Sequence, residues 1–437
     1  MNLDCRVGIT LLAMTEIESR MTQTRIVIVG GGFGGFSVAR RLVRSSVSNR
    51  IAVTIVDPSS ASVYTPWLYE VASGGILDDS LRGDLVRATD IMLDRFSGIR
   101  FRRCAMQSID PVMRNVVCAD GSAIPYDICV LAVGSVSHDF GIPGAKQFAT
   151  DLKRTSDALM IRTELSNIMQ DTSAKQRRIV IAGAGANGTE FAAECASTIR
   201  ALEKRGALSA RSVEVMLIDS GNEPLKMLSP FLRKKTQARL RDLGVVLRMN
   251  TALANVAEHS VGLKRIVKGV PAEKIETVSC EYCVTALGVK MPEIVASLPF
   301  ERHPKGRILV DDALRTLEYR DIFVLGDAAY VKEGKYPDPQ TAQVAVEQSI
   351  VVARNIVAMV TKRPVLPYRQ RASWDILIAL GGKYAVGRAL GVPIWGYTAY
   401  ILRRFVDARY FFSVLPWRSA FIRVVKGVAV YGKNETP

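Results

Sequence analysis

The sequence predicts an α/β fold: two interleaved Rossmann-like domains followed by a C-terminal amphipathic helical module. Two glycine-rich loops, Gly30-Gly31-Gly32-Phe33-Gly34-Gly35 and Gly183-Ala184-Gly185-Ala186-Asn187-Gly188, stand 153 residues apart and both fit G-x-G-x-x-G. Each closes a continuous β-branched run, RIVIVG at 25–30 and RIVIAG at 178–183, as central parallel strands buried on both faces require. Past Pro364 the texture changes to short apolar stretches, Arg and Lys, and most of the tryptophans.

The elements follow in order. After the first loop, 36–44 reads as a helix and 51–57 (IAVTIVD) as a strand, completing a βαβ unit. The second copy runs from its strand through a helix at 189–204 to the strand 213–219 (VEVMLID). Between the copies, 126–134 (YDICVLAVG) is a strand ending at Gly134, and its counterpart 282–288 (YCVTALG) ends at Gly288. A further strand, 321–326 (DIFVLG), leads into Asp327. The first unit is thus interrupted by the second and resumes near residue 290. The expected divisions are a leader at 1–21, the first domain at 22–140 and again at 289–364, the inserted domain at 141–288, and the C-terminal module at 365–437.

Composition narrows the partners. The chain of 437 residues carries a net charge of +16, which suits an anionic partner such as nucleic acid or an acidic membrane surface. Thirteen Lys or Arg against three acids lie between 362 and 437, so that segment holds +10 of the charge. Seven cysteines make no disulfide-scaffold pattern and read as reduced, cytoplasmic thiols. Cys280 and Cys283 spell C-x-x-C, but 277–287 reads as one strand, where residues three apart face opposite ways, so they are expected to be unlinked. The leader lacks a signal-peptide cleavage site, and no run of ~18 apolar residues suggests a spanning helix. No metal site is expected.

In each loop the first glycine makes the tight turn, the second lets backbone approach a pyrophosphate, and the third lets the helix pack against the strand. An acid ending the next strand should bind the adenosine ribose: Asp57, 22 residues after Gly35, and Asp219, 31 after Gly188, which requires a longer helix or loop. Neither is followed by an arginine for a 2′-phosphate, so NAD(H) is expected over NADP(H). Two dinucleotides in one protein suit electron transfer between them. If the first is FAD, the Asp327 carboxylate of Gly326-Asp327 would accept from its ribityl chain.

These features resemble the two-dinucleotide-domain flavoproteins and, within them, the type II NADH dehydrogenases, over residues 24–430. Besides the loops, the resemblance rests on the segment Tyr64 to Gly74, similar to the one passing under the flavin, the crossing segment 151–162, and Ala342-Gln343-Val344-Ala345-Val346-Glu347-Gln348. The last is similar to the quinone-site motif A-Q-x-A-x-Q, with Glu347 where the family has Gln. The resemblance implies FAD on Gly30, Gly32, Phe33, Gly34, Gly35 and Asp57, with Gly134, Gly326, Asp327, Ala342, Gln343 and Lys383 completing its site. It implies NADH on Gly183, Gly185, Gly188, Glu190, Asp219 and Gly288. Glu190, in the first turn of the second helix, would act near nicotinamide and flavin; Gln343 and Glu347, one helical turn apart, would face the quinone, Glu347 as a proton source. Small Ala342 and Ala345 would let the quinone ring approach.

The reaction so implied moves a hydride from NADH to FAD and two electrons on to a membrane quinone, without proton pumping. The stretch 394–415 mixes aromatic and aliphatic residues with Arg403, Arg404, Asp407 and Arg409, and a second short helix follows from Trp417. Rings at the headgroup boundary with cations on anionic lipid would hold the protein peripherally on the cytoplasmic face of the membrane, and the same region suits a homodimer contact. The alternatives are a sulfide:quinone oxidoreductase, which needs a cysteine pair by the flavin, and a basic NADH-sensing flavoprotein on nucleic acid. Charge concentrated among aromatics speaks for lipid, and no nucleic acid is expected.

Overall fold

The computed structural model describes residues 23–59, 61–73, 86–88, 95–171, 176–332, 334 and 337–434; the expected leader lies outside them. The described residues gather into two compact units. One is drawn from 1–62, 88–136 and 290–372, the other from 63–87, 137–289 and 373–437.

The first unit is built on five parallel strands in the spatial order Ile322–Val324, Ile128–Leu131, Thr24–Val29, Ile51–Asp57, Ile99–Arg103. Thr24–Val29 is central, with Ile26, Val27, Ile28 and Val29 all buried. β-branched side chains restrict χ1 in a way that extended backbone accommodates, so this run fills both faces of the sheet. A three-stranded antiparallel sheet, Met106–Asp110, Asn115–Cys118 and Ala123–Pro125, is inserted between the third and fourth strands of the chain. The helices Phe33–Leu42 and Ala342–Val360 pack against each other. Ala342–Val360 is, among the described residues, the one helix long and apolar enough to cross a membrane, a property the sequence reading had not assigned; its Val344, Val352 and Ile356 are buried in this unit.

The second unit repeats the plan. Its parallel order is Ala149–Asp151, Tyr282–Thr285, Arg177–Ala182, Val213–Asp219, Val246–Met249, and its antiparallel insert is Thr251–Ala257, Ser260–Val267 and Val270–Ser279. One difference is topological: the outermost strand beside the fourth comes late in the chain in the first unit and before the second loop in this one. Residues 373–437 contribute a three-stranded antiparallel sheet, Ile376–Ala379, Ala385–Ala389 and Val392–Trp395, then the helices Gly396–Val414 and Trp417–Asn434. The last is 18 residues long, not short.

Several expectations need correction. The nucleotide helices begin at Phe33 and Ala186, three residues before the predicted starts, because Gly32 and Gly185 are themselves the N-caps and the end of each glycine motif is the first helical turn. The expected strand 277–287 is two strands that break at Cys280-Glu281. Cys280 and Cys283 are free, and both are buried in one hydrophobic cluster, not on opposite faces. Cys104 and Cys118 are joined in a disulfide, against the reading of all the cysteines as thiols. They stand 14 positions apart, and the antiparallel pairing of the insert brings their Cα atoms to 5.9 Å.

Candidate functional site

The two loops are geometric copies. Gly30 N–H donates to the Val56 carbonyl at 2.8 Å, and Gly183 N–H to Ile218, also at 2.8 Å. Their φ angles are 105° and 107°, open only to glycine without strain. A Cβ at Gly30 would lie 2.2 Å from the Ala132 oxygen, and one at Gly183 2.3 Å from the Ala286 oxygen. The third glycines are equally enforced: a Cβ at Gly35 or Gly188 would lie 1.9 Å from the carbonyl oxygen of its loop's first glycine.

The middle glycines answer whether a diphosphate fits. Gly32 and Gly185 cap their helices in extended backbone, no side chain caps either helix, and among the described residues a Cβ at either would meet nothing within 4 Å. Each helix therefore offers its first-turn amides and the positive end of its dipole to an approaching anion. Asp57 and Asp219 each end the strand that follows their loop. Asp57 Oδ2 accepts Gly31 N–H at 2.7 Å and Oδ1 accepts Ser59 N–H; Asp219 Oδ2 accepts Ala184 N–H at 2.7 Å and Oδ1 accepts Gly221 N–H. A carboxylate has about four lone-pair sites, so each retains capacity for ribose hydroxyls. The extra spacing before Asp219 lies entirely in the helix, which has 19 residues against 10.

At the second loop the surface opens into a cleft of about 180 Å³ whose lining includes Asp151, Lys153, Gly185, Asn187, Leu287 and Gly288. Gly288 has φ 133° and Gly134, at the matching strand end of the first unit, 67°.

In the first unit, Gly326–Ala328 forms a 3-10 turn after the strand Ile322–Val324, and Asp327 accepts from the Ser135 hydroxyl. The strand Ala329–Val331 lies between this turn and the helix that begins at Ala342. That helix is capped by Thr341, whose hydroxyl accepts Val344 N–H. Ala345 is buried, and would lie 3.2 Å from a Cβ at Gly326 and 3.5 Å from one at Gly34, so its small size serves close packing. Ala342 is half-buried and Gln343 exposed on the first turn. Glu347 accepts from Arg371 Nε at 2.7 Å. Gln348, given no role by the sequence, is fully buried; its oxygen accepts Gly326 N–H at 2.7 Å and its amide donates to Asp338 at 3.1 Å. It fixes the turn that carries Asp327.

Glu190 sits in the second turn of its helix, not the first, and is buried in a charged cluster. It accepts from Arg403 at 3.0 Å and from Ala379 N–H at 3.1 Å. Arg404 pairs with Glu70 at 2.7 Å and with Asp407 at 3.4 Å. Asp407 also accepts from Tyr64 hydroxyl at 2.7 Å and Trp67 Nε1 at 3.0 Å, and Glu70 from Tyr69 hydroxyl at 3.0 Å. Three carboxyls face two guanidiniums, so full ionisation would leave one buried negative charge. Burial, opposed by Arg403, pushes the Glu190 carboxyl up to about 7. Arg403 and Arg404, each 8% exposed, therefore face carboxylates and not lipid, which corrects the reading of Gly396–Val414. Lys383 lies in the turn between Ile376–Ala379 and Ala385–Ala389, in the second unit.

A family model described as pyridine nucleotide-disulphide oxidoreductase matches residues 24–349. The chain belongs to that family. Its curated relatives include the demethylphylloquinone reductase NdbB of Synechocystis sp., 27% identical over 404 residues that cover 90% of this chain and 93% of the relative. The type II NADH:quinone oxidoreductase of Staphylococcus aureus is 26% identical over 398 residues, 89% and 96% of the two chains. Among solved structures, NDH2 from Plasmodium falciparum in complex with NADH superposes with a TM-score of 0.79 at 17% identity, covering 92% and 98%. The sulfide:quinone oxidoreductase of Aquifex aeolicus gives 0.73 at 20%, covering 91% of each. These two show the shared fold.

Within this family member, sequence reasoning found both loops and both acids, whose signals are local. It gave no role to Gln348 or Glu70 and assigned Arg403 and Arg404 to lipid rather than to carboxylates. Only the Glu347-Gln348 pair hinted at the first. Nothing in the sequence joins Glu70 to an arginine 334 residues away.

Proposed function

We propose that this protein is a type II NADH:quinone oxidoreductase, an FAD-dependent enzyme that oxidises NADH and reduces a quinone. The observation that carries the reading is the duplicated loop-and-acid geometry, with the Gly326-Asp327 turn and the Ala342-Gln343 motif in one unit and an open cleft in the other. Bound FAD would supply the two-electron chemistry that links NADH oxidation to quinone reduction.

The chain's own residues divide the labour. Gly30, Gly32, Gly34 and Gly35 with the helix start at Phe33 would hold the FAD diphosphate, Asp57 its ribose, and Asp327, braced by Ser135 and Gln348, its ribityl chain, with Gly134, Ala342 and Lys383 as further contacts. Gly183, Gly185 and Gly188 would hold NADH, with Asp219 on its ribose and Gly288 beside the nicotinamide end. Glu190 would hold a proton near neutrality, and Gln343 and Glu347 would orient the quinone. On this reading 22–140 and 289–364 form the FAD part, 141–288 the NADH part and 365–437 the C-terminal module.

Peripheral attachment to the cytoplasmic face of an anionic membrane is supported by Ile401, Phe405, Phe412, Trp417, Phe421 and Val425, all exposed on the C-terminal helices, Phe405 and Trp417 at 67%. A homodimer contact on the same helices remains part of the proposal. Cysteine-based sulfide chemistry gains no support: the described free thiols are all buried, which raises their pKa, that of Cys280 to about 11.

The decisive experiment is NADH oxidation by the purified protein with a soluble quinone, with NADPH and sulfide as competing donors. Flavin bleaching by NADH with quinone-dependent turnover is expected. Bleaching by sulfide but not NADH would overturn the reading.

A further inference from the structure

The hairpin between Ala385–Ala389 and Val392–Trp395 turns through only two residues, Leu390 and Gly391, since Ala389 pairs with Val392. Both have positive φ, 51° and 80°, the pattern of a type I′ turn, whose first position ordinarily takes Asn, Asp or Gly. A leucine there is strained by its Cβ. It is also 94% exposed, so neither packing nor backbone preference accounts for it. The Asp375 carboxylate holds the turn, accepting Leu390 N–H at 2.8 Å and Gly391 N–H at 3.2 Å. Strain maintained by a dedicated clamp points to use.

The surroundings indicate which use. The helix Pro230–Asp242 packs on this hairpin, and Phe231 meets Trp395 edge-on at 4.9 Å, both rings being exposed along with Met227 and Val392. The Lys235 ammonium lies 5.6 and 5.3 Å from the two ring centroids, and Lys234 is exposed beside it. The helix holds Arg233, Lys234, Lys235, Arg239 and Arg241 against the single acid Asp242. Arg233 is engaged by Glu223, and Arg239 by the carbonyls of Leu380 and Gly381; among the described residues neither Lys234 nor Lys235 has a carboxylate partner, so both can meet an outside anion. Trp395 runs directly into Gly396–Val414, where Tyr397, Ile401 and Phe405 are exposed one turn apart. The patch therefore continues the apolar face assigned above to the membrane.

We propose that the Leu390-Gly391 tip and the adjoining flank of Pro230–Asp242 form a lipid-contact site additional to the C-terminal helix pair. Leu390, Phe231 and Trp395 enter the headgroup boundary of an anionic bilayer while Lys234 and Lys235 meet its phosphates. An exposed apolar tip on a hairpin whose other end carries Trp395, with Phe231 and the lysines on the adjoining helix, suits a bilayer surface better than a protein groove. The proposal rests on the membrane reading of the preceding subsection.

Co-sedimentation with equimolar phosphatidylcholine–phosphatidylglycerol vesicles tests it, using the full-length flavoprotein. Leu390→Asn restores the favoured Asn-Gly turn, so it should raise the melting temperature while weakening vesicle binding ~5-fold. The pair Lys234→Glu and Lys235→Glu should weaken binding roughly tenfold or more, an effect that fades at high salt. Turnover with a soluble quinone should be unchanged in both. If Phe405→Glu loses binding while these variants bind like wild type, this site is wrong and the membrane reading stands. If wild type itself does not bind, the membrane reading fails and takes this site with it. Unaltered vesicle binding with a change in oligomeric mass by light scattering would make the patch a contact between copies, and would overturn the proposal.

Discussion

The two glycine loops hold their backbones alike and differ in what presses on them. In the first, a Cβ at Gly34 would come 2.6 Å from Leu325 Cδ1, and the helix Ala342–Val360 closes over the loop through Ala345. In the second, the matching position is Asn187, which lines the open cleft. A loop packed over suits a ligand that stays, and a loop beside a cleft suits one that exchanges. The helices diverge in the same sense: where the first has buried Ser37, the second has buried Glu190 tied to Arg403. Shared backbone fixes what kind of ligand binds; the side chains over it decide residence and chemistry.

The strongest test breaks each loop in turn. Gly183→Val places a side chain on the Ala286 oxygen at a φ that valine resists, and should weaken NADH binding at least ~100-fold while flavin absorbance is kept. Gly30→Val should instead yield protein without flavin. If both variants lose flavin, the division of labour between the loops is wrong.

Next in size is the charged cluster around Glu190. Arg403→Gln leaves Glu190 buried without its cation, and should cost about 3–5 kcal/mol in denaturant unfolding. Glu190→Gln should act through pH. Both states are protonated below the unfolded value of about 4.5, and the native carboxyl holds its proton to about 7. As pH rises between these values the unfolded chain ionises first, so wild-type stability falls, by at most about 3–4 kcal/mol at 1.36 kcal/mol per unit. Glu190→Gln should remove that slope and flatten the turnover profile near pH 7. A wild-type stability curve flat from pH 4.5 to 7 would refute the assignment.

A smaller exchange swaps the loops' characters. Gly34→Asn should overpack the first loop against Leu325 at about 1–3 kcal/mol and loosen flavin retention; Asn187→Gly should alter little but NADH affinity. Equal effects would mean that the loops do not differ as argued.

Legibility in the sequence followed the range of the interaction. Strands Ile51–Asp57 and Val213–Asp219 were read to the residue because β-branched runs and a terminal acid are local signals. The helix starts were missed by one turn because glycine ordinarily argues against helix, while here Gly34 and Gly35 lie inside one. Arg403 and Arg404 were misread because arginines among aromatics have the composition of a lipid-facing helix, and the carboxylates that claim them come from residues 70 and 190. The Cys104–Cys118 bond is short in sequence, but it depends on the register of the Met106–Asp110 and Asn115–Cys118 pairing, which no local signal marks.

The smallest expected effect concerns Glu347, where the family motif has glutamine. Its ion pair with Arg371 has side chains 24% and 58% exposed, and such pairs contribute about 0–1 kcal/mol. Glu347→Gln keeps the shape and a hydrogen-bond acceptor for Arg371, so the melting temperature should scarcely move. Any consequence must then appear in the acceptor half-reaction, as slower quinone reduction with an altered pH dependence and normal flavin bleaching by NADH. Unchanged quinone turnover across pH would remove Glu347 as a proton donor. The carboxylate would then be only an anchor for Arg371, and the orienting role at the quinone would rest on Gln343.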